Sequence, residues 1–250
     1  MVTFSVFSKS HSILTKIIRP HESGIGIEKD AGQCQMSAGT VETVTMPFRE
    51  LGPYLRTLQP NQAIAHGICG LPSAVVVSDK NFTGQPGTIT RTKKFFRYPE
   101  GPGLGMFDHD PKPWQSPLSP EEFKASIEGI CPAFKDVATV YTPSTSSCIS
   151  DAAGSELTGT GAGFHLYFTM ANAQELPLFA ETLFKRLCLA GHGYPFVTRS
   201  GSVLLRTIFD ASVFSPERLD FVSGAVCEGG CSQRLPEPVY TDGEMLVWNS

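Results

Sequence analysis

Pro111 and Pro113 follow directly on the segment Leu104–Gly105–Met106–Phe107–Asp108–His109–Asp110 and set the strongest limit on how this chain folds. Proline lacks a backbone donor and fixes its own φ, so a strand running through Phe107 has to stop at the aspartates. The turn-rich stretch Pro99–Gly105 (PEGPGLG) delivers the chain into that strand. Alternation on a strand puts the Asp108 and Asp110 carboxylates on one face and His109 on the other. Carboxylates that close an apolar strand are costly to bury without a cation. The pair therefore reads as a holder of divalent ions, and the competing reading is a turn aspartate capping the strand exit.

Around this point the pattern mixes strands and helices without regular alternation, which predicts an α+β domain. Strand character recurs at Thr3–Phe7, Ile13–Ile18, Gly24–Glu28, Val41–Thr45, Ala63–Gly67, Ala74–Ser78, Thr139–Tyr141, Gly163–Met170, Pro195–Thr198 and Val203–Phe209. Phe48, Leu51, Leu55 and Leu58 recur at helical spacing and predict a covering helix. Ser119–Pro120–Glu121–Glu122 joins an N-cap serine, a proline at N1 and a Glu at N3, so a helix is expected from there to Gly129. Glu175–Leu189 reads as another helix, closed by Gly191. Ser215–Pro216–Glu217–Arg218 opens a further short one by the same cap logic.

Two more chemistry-bearing positions follow. His165 shares a strand face with Gly163 and Tyr167, while Phe164, Leu166 and Phe168 form the other face. The glycines before it allow a ligand close to the backbone, and the alternative is a hydrogen-bonded structural histidine. Asp210 ends the strand from Val203, with Arg206 on the same side. Either Asp210 ligates a metal while Arg206 reaches for phosphate oxygens, or the two form an internal ion pair.

The order of these pieces resembles the three motifs of the archaeo-eukaryotic primase superfamily, and in particular the primase-polymerase domains of plasmids, phages and integrative elements. Met106–Phe107–Asp108–His109–Asp110–Pro111 is similar to the first motif, Gly163–Phe164–His165–Leu166–Tyr167–Phe168 to the second, and Phe209–Asp210 to the third. The flanks Thr88–Ile89–Thr90–Arg91–Thr92 and Ser215–Pro216–Glu217–Arg218–Leu219 agree, and the resemblance spans residues 62–237. It implies an α+β primase-polymerase core with a mixed or antiparallel, RRM-like sheet and flanking helices.

The implied chemistry is template-directed nucleotidyl transfer from a nucleoside triphosphate to a 3′-hydroxyl, in replication of DNA or a mobile element. Asp108, Asp110 and Asp210 would hold two Mg²⁺ or Mn²⁺ ions, with His165 on the triphosphate; to these we add Arg206 and Arg91 as charge clamps on its phosphates. Single-stranded DNA template or primer and ribo- or deoxyribonucleoside triphosphates are the expected partners, together with a helicase domain or protein. The superfamily often has a serine two residues before the histidine, where Gly163 stands here; Ser144, Ser146 and Ser147 are the candidates to supply that hydroxyl. A metal-dependent nuclease or phosphohydrolase, and a non-catalytic DNA-binding replication initiator, are the competing functions.

Bulk properties set the remaining limits. Hydrophobic residues make up 41% and charged residues 18% of 250, which excludes collagenous, coiled-coil and largely disordered classes. A net charge of −4 argues against coating nucleic acid by bulk attraction, though local basic clusters occur at Arg91, Lys93, Lys94 and Arg97 and at Lys185 and Arg186. No apolar run approaches the roughly 20 residues that span a bilayer, and the N-terminus lacks the pattern of a secretory leader. Seven scattered cysteines, several in apolar runs, point to a reducing, cytoplasmic compartment. Cys227 and Cys231 in CEGGC are spaced like half a zinc site, with no second close pair to complete it. The expected organisation is an N-terminal αβ subregion over 1–61 packed on a core at 62–237, with 238–250 as a tail or the start of a linker.

Overall fold

The computed structural model describes residues 1–22, 26–111, 115–157, 162–198 and 200–248. Pro113, one of the two prolines after the aspartates, lies outside them, as do Gly24 in the expected strand Gly24–Glu28 and part of the glycine-rich connection before His165.

The fold is mixed α+β, with several sheets and flanking helices. One sheet has five strands, β1 (Val2–Lys9), β4 (Ala38–Met46), β5 (Gln62–Ala65), β6 (Ser73–Val77) and β7 (Thr88–Thr90), in the order β5-β1-β4-β6-β7. A second sheet has β8 (Gly103–His109), β9 (Thr139–Pro143), β11 (Phe164–Met170) and β16 (Val239–Thr241) in the order β16-β9-β11-β8. All of its pairings are antiparallel. β2 (Ile17–Pro20), β3 (Ile27–Asp30) and β14 (Val226–Cys227) form a third sheet, ordered β14-β2-β3. Two short pairs complete the set: β10 (Ile149–Ser150) with β15 (Ser232–Gln233), and β12 (Tyr194–Val197) with β13 (Val203–Arg206).

β11 is buried along its whole length, so its two faces meet different surroundings. Phe168 stacks on Phe107 of β8 with centroids 5.0 Å apart. Phe107 also meets Phe123 of helix α2 (Pro120–Ile130) and Phe179 of helix α3 (Leu176–Leu187). This aromatic face is the main core. The opposite face carries Met106 and Asp108 of β8 beside Tyr167 and His165 of β11, and it is turned toward the five-stranded sheet. There the apolar Val2, Phe4 and Val6 of β1 join the same cluster as Met106 and Tyr167. A polar row thus lies at the junction of two sheets, where an unpaired donor or acceptor is expensive.

The sequence-predicted caps hold where their chemistry is local. Ser119 accepts from the Glu122 amide and Glu122 reaches back to the Ser119 amide, which gives α2 its full capping box. Gly191, at φ 90°, ends the turn that extends α3. Other expectations are corrected. The covering helix over Phe48–Leu58 shrinks to a 3-10 turn, Phe48–Glu50, and helix α1 (Leu51–Leu55), with Leu51, Leu55 and Leu58 buried as the periodicity implied. Ser215–Arg218 is a turn closed by the Arg218 amide on the Ser215 carbonyl. The helical turn falls earlier, at Ala211–Val213, because Asp210 caps it. The strand from Val203 stops at Arg206 instead of running to Phe209. The C-terminal stretch is built into the domain: β16 pairs with β9, and Leu246 and Trp248 are buried. Among the described residues no helix is long and apolar enough to cross a membrane.

Candidate functional site

β8 and β11 run antiparallel with Asp108 directly opposite His165. The His165 Nε2 lies 3.7 Å from the Asp108 Oδ1, at ion-pair distance. Behind the ring, Nδ1 is 3.1 Å from Asp220 Oδ1 and 3.2 Å from the Tyr167 hydroxyl. Tyr167 donates to Asp220 Oδ2 at 2.6 Å, and His66 Nε2 approaches the same oxygen at 3.4 Å. Asp220 is placed by a two-way backbone bridge to Ile64 at the end of β5, the segment that also leads to His66. The result is a buried carboxylate ringed by two imidazoles and a phenol, with only Asp108 beyond the row retaining appreciable exposure, 27% of its side chain.

The electrostatics follow from that enclosure. Burial pushes the Asp220 carboxyl up, but the His165 charge and the hydrogen bonds from His165 and His66 outweigh it, leaving the group well below the usual carboxylate range. Burial works against a charged His165, yet Asp220 and, more distantly, Asp108 raise the imidazole above its ordinary value. Burial and the adjacent Asp220 charge hold the Tyr167 phenol far up, so it stays a neutral donor. Asp108 is driven up by burial, against the pull of His165 and with the push of Asp110, Asp220 and Asp210. A histidine inclined to keep its proton thus faces a carboxyl inclined to keep its own, which suits a pair that holds an anion or passes one proton.

This row floors a cleft of about 360 Å³ whose walls carry Lys16, Lys29, Arg218, Ser144 and Ser146. Lys16 Nζ donates to the Ser146 hydroxyl at 3.2 Å. The serine loop is fixed in place: Gln233 donates to the Thr145 and Ser147 carbonyls at 2.9 and 2.8 Å, and the Ser147 hydroxyl donates to the Gly163 carbonyl at 2.8 Å. A Cβ on Gly163 would stand 2.9 Å from the Ser144 hydroxyl oxygen, so that hydroxyl fills the space a side chain at Gly163 would take.

The other expected residues fall elsewhere. Asp108 and Asp110 also line a neighbouring cavity, together with Arg206, Phe196, Tyr194 and Asp210. Asp210 touches Asp108 through the backbone, its amide donating to the Asp108 carbonyl at 3.0 Å. Its carboxylate points to Arg206 Nη1 at 3.1 Å and accepts from the Ser212 amide at 2.9 Å. The internal ion pair is therefore what the Arg206 and Asp210 spacing encodes. Arg206 also lies over the Phe196 ring, 5.9 Å from its centroid. Arg91 donates to the Glu217 carbonyl at 2.9 Å and lines neither cavity; burial lowers its pKa.

The expected metal site is corrected on this geometry. Among the described residues no group of three or more His, Cys, Asp or Glu side chains is placed to hold a metal ion. Asp210 spends its carboxylate on Arg206 and a helical-turn amide, Asp108 is turned to His165, and Asp110 falls beyond the end of β8. The pair of Mg²⁺ or Mn²⁺ ions on Asp108, Asp110 and Asp210 is thereby overturned. So are the two-metal nucleotidyl transfer of a primase or polymerase and the metal-dependent nuclease, both of which require that cluster.

Asp220 and His66, the anchors of the site, were missed in the sequence. Asp220 lies between Leu219 and Phe221 in no regular element, and His66 just past a four-residue strand. The one available signal was the sharing of a strand face by His165 and Tyr167: two buried donors on an otherwise apolar strand call for a buried acceptor. In comparisons with known proteins, no family model, no curated protein and no solved structure matches the chain.

Proposed function

We propose that the chain binds a nucleotide by its phosphates in the cleft above Asp220, His165 and Asp108, using its own cations and hydroxyls rather than a protein-held metal. The observation that carries this reading is His165. Its Nδ1 bonds to the Tyr167 hydroxyl and lies at ion-pair distance from Asp220, its charge is favoured by that carboxylate, and its ring lines a cleft that also holds Lys16, Lys29 and Arg218. Phosphate oxygens are matched by such a set of charged donors, with hydroxyls from Ser144 and Ser146 for the remaining lone pairs.

The choice of a nucleoside triphosphate over a simpler phosphate is supported by the motif order, which resembles the archaeo-eukaryotic primase superfamily, where the motif histidine contacts the triphosphate. On this reading the kinship is one of nucleotide recognition. The succession β8, α2, β9, β11, α3, β16 is a βαββαβ run, but the order β16-β9-β11-β8 leaves its first strand at an edge, where an RRM sheet has that strand in the centre, so the order does not support the expected RRM-like core.

Calorimetric titration with ATP and GTP in the presence of EDTA tests the proposal. Saturable binding by the wild type, weakened at least about tenfold by Lys16→Ala and by His165→Ala, is expected from the loss of a charge-assisted contact of about 1.5–3 kcal/mol. No binding with the chelator present, or equal affinity in the variants, overturns it.

A further inference from the structure

The turn Cys227–Glu228–Gly229–Gly230–Cys231 lies outside the cleft, beside the strand that leads from Lys16. Gly229 and Gly230 both take positive φ, 68° and 85°, a backbone that folds the chain sharply back between the two cysteines. The Cys231 sulfur sits 3.0 Å from the Glu228 carbonyl oxygen and 3.3 Å from that of Ile18, the same residue that Cys227 pairs with across the sheet, so both cysteines lie against Ile18. Both thiols are free. They differ in access: Cys227 is partly exposed, whereas Cys231 is buried. An accessible thiol backed by a buried one is the arrangement of an attacking and a resolving cysteine.

We propose that Cys227 and Cys231 form a reversible disulfide modification site, closed by exchange with a small-molecule disulfide. The Cys227 thiolate attacks one sulfur of that disulfide, forming a mixed disulfide and expelling one small thiolate. The Cys231 thiolate then attacks the Cys227 sulfur and expels the second. Two protein thiols and one small disulfide become one protein disulfide and two small thiols, and the two protein protons end on the released thiolates. Burial, with the charge and hydrogen bond of Cys231, pushes the Cys227 thiol up to about 11. The exchange is therefore slow at neutral pH and speeds by about tenfold per pH unit below that value, because the thiolate is the nucleophile.

Incubation of the folded protein with oxidised glutathione, followed by alkylation and peptide mass analysis, tests the site without reference to nucleotides. In the wild type the peptide carrying both cysteines should lose the mass of two hydrogens and retain no glutathione. In Cys231→Ser the mixed disulfide should accumulate on Cys227, since its resolving thiol is gone. A persistent glutathione adduct in the wild type, a disulfide joining either cysteine to another position, or full alkylation of both after alkaline incubation overturns the proposal.

Discussion

The Ser144 hydroxyl oxygen stands 2.9 Å from where a Cβ on Gly163 would lie, so one residue's side chain occupies the volume the other leaves empty. The hydroxyl that a serine at position 163 would bring to the cleft is delivered from the loop instead. Gly163→Ser should overpack this spot and cost about 1–3 kcal/mol. Ser144→Gly combined with Gly163→Ser should recover most of that loss, a coupling expected of two residues in contact. Urea unfolding of the two single variants and the double variant measures it, and strict additivity would show that the two positions do not share the space.

Asp220 bonds to Tyr167 and His66 through one oxygen and lies at ion-pair distance from His165 with the other. Asp220→Asn should destabilise by about 3–5 kcal/mol, the cost of stripping the counter-charge from a buried pair. Tyr167→Phe, which removes one donor to the same carboxylate, should cost about 1–2 kcal/mol. A loss under about 1 kcal/mol for Asp220→Asn in chemical denaturation contradicts the network.

The pH profile of stability carries a sign for each member of the row. His165 is raised in the folded state, so its contribution is complete below the unfolded value of about 6.5 and fades as pH climbs through the folded value. Asp220 is depressed, so its contribution is complete above about 3.9 and fades as pH falls toward its low folded value. Asp108 is raised, and a carboxyl shifted that way subtracts from stability as pH rises above about 3.9. Together they place the maximum in the mildly acidic range, with a decline toward alkaline pH. Asp108→Asn should flatten that decline, and a wild-type urea midpoint that keeps rising from about pH 5 to pH 8 would reverse the assigned signs.

Asp210 is engaged at the surface rather than in the cleft. Its pair with Arg206 is about one-third exposed on each side and contributes under about 1 kcal/mol, so Asp210→Ala should cost mainly the roughly 0.5–2 kcal/mol of the lost cap on Ser212. Nucleotide affinity should stay within about twofold of wild type, because the Asp210 side chain does not line the cleft of Lys16 and His165. A drop of about tenfold or more would return Asp210 to the binding site.

What could be read from the chain was the local part. Pro111 stopped β8 next to Asp108, the Ser119 capping box set the start of α2, and the split faces of β11 put His165 and Tyr167 together. The partners of those faces came from far away in sequence: Asp220 reaches Tyr167 across 53 residues and His66 across 154. No periodicity reports such a meeting, because a one-residue bridge to Ile64 is all that places Asp220. Asp210 misled for the opposite reason. A strand-terminal aspartate looks the same in sequence whether it waits for a cation or caps a helical turn, and here the cap and Arg206 claim it.

On the proposed reading, a protonated His165 meets a nucleotide's phosphates. Its imidazole titration, followed by ¹H–¹⁵N NMR with EDTA present, reads this directly with and without saturating ATP. An anion against the ring favours its charged form, so the His165 pKa should move further up when ATP is bound. A His165 titration that is unchanged or shifted down on ATP addition would contradict it.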